Sequence, residues 1–234
     1  MDMRYFKQPV TWLQLFVFAG MVNLVSIVIN HIWIHSISKY LLMPLLAMYV
    51  LMHMPRGAAG RSLLLAALVF SWLGDVFLLY TERSELYFML GLAAFLLAHL
   101  AYIFTFLRLR EKPIRKYLLY PWIALPIAYA VYLCYVLYPG LGDMRIPVLA
   151  YATVITLMCI AALFRMGRTP LFSFLFVQIG AIIFIASDSM IAWNMFYKQI
   201  PMAGLLIMTT YIIAQYLIVT GLMQHKSLDD AAKA

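Results

Sequence analysis

Apolar residues run along this chain in eight long stretches, interrupted only by short joints that carry charge, proline or glycine. The stretches fall at roughly 11–30, 34–53, 62–80, 86–107, 117–138, 146–164, 171–195 and 201–223. Each is long enough to cross about 30 Å of hydrocarbon as a helix, the element that satisfies its own backbone polar groups where water is absent. The pattern predicts an all-α, polytopic membrane bundle with eight transmembrane helices. The longest joint, Arg108–Lys116, is too short for a soluble module, so residues 1–234 are expected to form a single eight-span domain.

Composition sharpens this picture by exclusion. The chain is 66% hydrophobic and 11% charged, with a mean hydropathy of +0.93, whereas a soluble domain has roughly 45–50% apolar and ~25% charged residues. Eight spans of ~20 residues take up about 160 positions, which leaves only tails and loops, so any chemistry must sit in the membrane or at its surface. The net charge of +8 would point to nucleic acid in a soluble protein; here it records the bias of basic residues toward the cytoplasmic side, and no nucleic-acid partner is expected. If both ends are cytoplasmic, one side holds 13 cations and the other only Lys39, Arg83, Arg145 and Lys198. That partition predicts cytoplasmic termini in a multi-pass protein of the cell membrane, with the bacterial inner membrane as the expected site. Arg4 and Lys7 precede the first apolar run, and no small-residue cleavage site closes it, so the first span is expected to be retained. Trp12, Trp33, Trp122 and many tyrosines near span ends fit an interfacial aromatic belt. No signal in the sequence indicates an oligomeric state.

Polar residues become informative where they are expensive. Seven of the nine acids lie in loops or tails, and only Asp75 and Asp188 fall inside spans. An ionisable side chain near the bilayer centre costs at least ~2.5–3.5 kcal/mol on insertion scales, so its default interpretation is a functional group facing the bundle interior. At 1.5 Å per residue both carboxyls are expected ~6–8 Å outward of the midplane. Lys39 falls at the same depth and is placed to pair with a carboxylate; the alternative is a snorkelling interfacial lysine. His99 and Tyr102 share a face of the fourth span, as do Tyr211 and Gln215 on the eighth. Ser71, one turn before Asp75, and Ser187 and Asn194 around Asp188 are candidates to hydrogen-bond the carboxyls, although serine in membrane helices commonly serves packing.

Other chemistries find little support. His31 and His35, taken as the outer end of the first span, have i, i+4 spacing but no nearby third ligand, so no metal site is expected. No HExxH, GxSxG or P-loop is present. Trp72-Leu73-Gly74-Asp75 lacks the first glycine of the GxGD form of intramembrane aspartyl proteases, and the residue before Asp188 is Ser187 where that class has a tyrosine. A small proton-coupled carrier using Asp75, Asp188 and His99 is the rival to an enzyme; broken helices would favour it, and only Pro44 and Pro126 are candidates for mid-span breaks.

Four polar-bearing segments in order, FSWLGDVFLL (70–79), FMLGLAAFLLAHLAYIFTF (88–106), IGAIIFIASDSMIAWNMF (179–196) and TTYIIAQYLI (209–218), with a looser match at SKYLLMPLLAMY (38–49), resemble the YhhN-like family of integral membrane proteins, which includes the lysoplasmalogenases. The resemblance implies that Asp75 and Asp188 are the catalytic acids, with Lys39, His99, Tyr102, Tyr211 and Gln215 shaping the site. It departs from the family where Lys39-Tyr40 replaces a frequent Lys-Pro and where Ile212 replaces a second tyrosine. The activity it implies is hydrolysis of the vinyl ether of a lysophospholipid substrate, without metal or organic cofactor, with membrane lipid as the surroundings.

Overall fold

The computed structural model describes residues 8–109 and 120–225. They form α1 (Pro9–Val28), α2 (Ile32–His53), α3 (Arg61–Leu78), α4 (Glu85–Arg108), α5 (Tyr120–Leu137), α6 (Arg145–Leu163), α7 (Leu171–Phe196) and α8 (Ala203–Met223). All eight are long and apolar enough to cross a membrane, and each overlaps one predicted stretch with its ends moved by a turn or less. The molecule is an all-helical, multi-pass membrane protein. Arg4, Lys7, the basic run 110–116, Lys226 and Lys233, on which the expected orientation partly rests, lie outside the described residues, as does the start of the fifth predicted stretch. His35 lies in α2 and His31 is the N-cap of that helix, so neither belongs to the first span. The His31 ring caps α2 by accepting from the Ile34 N–H, and His35 Nδ1 lies 3.2 Å from the Asn23 amide. α2 and α5 run unbroken through Pro44 and Pro126.

The chain divides into two compact units, residues 1–102 and 103–234. In the first, α1 packs along α2, and α2 along α3. The seam between α1 and α2 is polar where the amide of buried Asn23 donates to the Ser38 hydroxyl at 3.0 Å and to the His35 carbonyl at 3.1 Å. Without water, such bonds hold helices where hydrophobicity cannot. α4 approaches α3 closely at Gly74, where a Cβ would stand only 2.5 Å from the Phe95 ring.

In the second unit α7 and α8 form the tightest pair. A Cβ on Gly180 would lie 2.8 Å from Ile218 Cγ1 and 3.0 Å from the Ala214 carbonyl, so the two backbones meet through small residues, the usual device of membrane helices. α6 packs on α7, and α5 touches both while exposing most of its surface. At the α6–α7 turn Arg165 is fully buried. Its guanidinium donates to the Leu109 carbonyl just past the end of α4 (2.7 Å) and to Ser173 Oγ (2.8 Å), and the serine donates on to the Gly221 carbonyl (2.6 Å). Burial draws the guanidinium down to about 10, still cationic at neutral pH. Its position at the negative end of the α4 dipole offsets part of the desolvation.

Candidate active site

Among the described residues, each unit carries an intramembrane acid with a side-chain partner. On α3, Asp75 is 2% exposed, and its Oδ1 lies 3.7 Å from Nζ of Lys39 on α2. Two opposite charges removed from water compensate each other where either alone would be costly. The register that brings them together is fixed next door: Trp72 Nε1, three residues before Asp75, donates to the carbonyl of Tyr40, the neighbour of Lys39 (3.0 Å), and the Tyr40 and Tyr80 hydroxyls bond at 2.8 Å. Ser71 lies one turn before Asp75 and is fully buried. His99 and Tyr102 on α4 are also fully buried. Phe95, one turn before His99, lies over Gly74, so the missing side chain beside Asp75 is what lets α4 come in at that level.

On α7, half-buried Asp188 accepts a hydrogen bond at Oδ2 from the hydroxyl of Tyr151 on α6. Both line a cavity of about 40 Å³ between α5, α6 and α7. Ser187 Oγ donates to the Ile207 carbonyl on α8 (3.1 Å), tying the helices beside the acid. Tyr211 meets Phe184, one turn before Asp188, edge to face at 5.6 Å, and Gln215, one turn further along α8, is fully buried. Asn194 Oδ1 accepts from the Ile200 N–H (2.9 Å), so it shapes the α7–α8 connection.

Lys39 and Asp75 are thus brought into direct contact. Tyr151 is the residue the sequence reading missed. Tyrosines in this chain fit an interfacial belt, and only its depth, six residues into α6, set Tyr151 apart. Among the described residues no three of His, Cys, Asp and Glu are grouped so as to hold a metal ion. Chemically, each cluster offers a carboxyl beside a side chain that carries a proton, groups of the kind that general acid–base chemistry uses.

Comparison with known proteins gives the family. The pattern of the YhhN family matches residues 34–222. The chain is 34% identical over 186 residues to lysoplasmalogenase TMEM86B of Homo sapiens, covering 80% of this chain and 74% of the relative. It is 32% identical over 197 residues to the Sus scrofa protein of the same name, covering 84% and 78%. A lysoplasmalogenase of Mycobacterium tuberculosis (strain CDC 1551 / Oshkosh) is 33% identical over 177 residues, covering 74% and 65%. No solved structure matches. With a family pattern spanning four-fifths of its length and relatives of this similarity, the chain belongs to the YhhN family.

Proposed function

We propose that this protein is a lysoplasmalogenase, hydrolysing the vinyl ether of a lysoplasmalogen to a fatty aldehyde and a glycerophospho-head group, with Asp75 and Asp188 as the acid–base pair. The observation that carries the reading is the 30–34% identity, over most of the chain, to proteins bearing that name. It is supported by the two intramembrane carboxyls, each already bonded to a side chain that carries a proton. A vinyl ether is cleaved by adding a proton to its β-carbon, which leaves an oxocarbenium ion at the carbon bearing oxygen. Water adds there, and the hemiacetal collapses to aldehyde and alcohol. One carboxyl must be neutral to give the proton, while the other stays ionised to stabilise the cation and take a proton from water, as glycosidases divide acid and base. The reaction consumes only water.

Purified protein incubated with 1-alkenyl, 1-acyl and 1-alkyl lysolipids should release aldehyde from the alkenyl lipid alone. In D₂O the aldehyde should carry one deuterium on the carbon next to its carbonyl. Asp75→Asn and Asp188→Asn should each lower turnover by at least ~10²-fold, the lower end of what a positioned proton-transfer group contributes. Asp188→Asn should still fold, because an amide is cheaper in hydrocarbon than a carboxylate; Asp75→Asn strands the Lys39 charge, so it is assayed beside Lys39→Met/Asp75→Asn, in which both charges of the pair are gone. Unlabelled aldehyde would exclude protonation at carbon, and full activity in either variant would remove that Asp from the mechanism. If the protein hydrolyses no lysolipid but moves ions across liposomes, the carrier reading replaces this one.

A further inference from the structure

The second unit contains a much larger space than the small cavity at Asp188. Residues of α5, α6, α7 and the α6–α7 turn line a cleft of about 590 Å³, from Leu163, Met166 and Phe174 to Ile185 and Ala186. That volume falls within the ~300–1,000 Å³ usual for small-molecule sites. Tyr129 and Ile185 line both the cleft and the Asp188 cavity, so the two spaces adjoin at these residues, one turn of α7 from the acid. Along α7 the cleft extends from position 174 to 186, about 18 Å at 1.5 Å per residue, and among its walls Gln178 is the only side chain with an amide or a charge.

We propose that this cleft holds the hydrocarbon chain of a single-chain lipid, with the first carbons of the chain at Asp188 and Tyr151 and the far end between Leu163 and Phe174. The assignment rests on the hydrolase reading and names the part of the chain that selects its substrate. Depth supports it. Asp188 lies eight residues from the end of α7 and Tyr151 six from the start of α6, about 12 and 9 Å inside the helix ends, which leaves the glycerol and phosphate room to reach the interface while the chain runs on into the membrane. Lipid tails are as apolar as the cleft walls, so entry gains no hydrophobic energy and selection must come from shape. A cleft bounded by three helices takes one chain, and a lipid with two would leave its second chain without a place beside the acid.

The test uses the full-length protein in phosphatidylcholine nanodiscs and a 1-O-alkyl lysophosphatidylethanolamine, which lacks the cleavable bond, carrying a diazirine at the chain end. Photolabelling should fall on peptides containing Leu163–Met166 and Phe174–Leu175, be displaced by unlabelled lysolipid, and not be reproduced by a diacyl phosphatidylcholine bearing the same diazirine. Label elsewhere, or equal labelling by the diacyl lipid, would make the cleft an ordinary lipid-facing surface and overturn the assignment. Among variants, Leu175→Trp should shorten the cleft, lowering kcat/KM for a long alkenyl chain by about tenfold or more while leaving a short one within about twofold, as methylene-scale discrimination in apolar pockets allows. Ile179→Trp, which faces lipid outside the cleft, should change neither. Equal loss on both chain lengths in a folded Leu175→Trp protein would also overturn the assignment; if that variant does not fold, the photolabelling decides. Labelling needs no turnover, so an inactive protein that is labelled in the cleft refutes the hydrolase alone, and an active one labelled elsewhere refutes the cleft alone.

Discussion

Lys39 and Asp75 lie 3.7 Å apart with side chains 10% and 3% exposed, so neither has water to fall back on. Breaking a buried pair by removing one member costs about 3–5 kcal/mol, whereas removing both charges together is often neutral. Lys39→Met should therefore lower thermal stability in detergent by that order, and Lys39→Met/Asp75→Asn should recover most of it without recovering activity. Recovery of neither would show that the lysine acts through packing alone. Tyr151 calls for a different experiment, since Tyr151→Phe keeps the ring and removes only the donor to Asp188. A hydrogen bond to a charged group contributes about 1.5–3 kcal/mol to stability, so the melting temperature should fall; a role for the bond in holding the carboxyl for proton transfer predicts that kcat also falls, by roughly tenfold or more, with KM little changed. The contrast between these residues shows what a sequence discloses. A lysine inside an apolar run is conspicuous because its charge has to be compensated, and its depth already matched that of the acid. A tyrosine is at home both at an interface and in a core, so nothing in its identity announced a bond to Asp188.

Helices of this chain were legible in extent and illegible in partnership. Twenty apolar residues between charged joints declare a helical span, because a single segment crosses hydrocarbon with its backbone satisfied only as a helix, and a barrel strand would be half as long. In a soluble protein an apolar stripe also declares which face is buried, but here lipid and protein interior are equally apolar and the stripe disappears. Contacts depend instead on small residues, which one sequence does not distinguish from filler. Gly180 is such a case: a β-branched side chain there would press against both Ile218 and the backbone of α8. Gly180→Val should separate α7 from α8 and lower stability by about 1–3 kcal/mol, the usual cost of overpacking, read as a lower melting temperature. It should also reduce activity, because the Ser187–Ile207 bond beside Asp188 spans the same seam. A stable, fully active Gly180→Val protein would mean that this seam does not position the acid.

For the whole molecule, the 13 to 4 division of cations carries the expected orientation. Alkaline-phosphatase fusions after residue 234 or within 108–116 should be inactive and fusions within 139–145 active; the reverse would invert the protein and place both acids nearer the cytoplasm. Arg165 reaches back 56 positions to the Leu109 carbonyl, and through Ser173 it depends on the Gly221 carbonyl a further 48 positions beyond that serine. The Leu109 carbonyl, just past the end of α4, finds its guanidinium donor in the α6–α7 turn, and Ser173 near the start of α7 finds its carbonyl acceptor in the last span. Without α8 the Ser173 hydroxyl that receives the guanidinium has no Gly221 carbonyl to donate to, so the last helix completes the cradle of a cation buried at the α6–α7 turn.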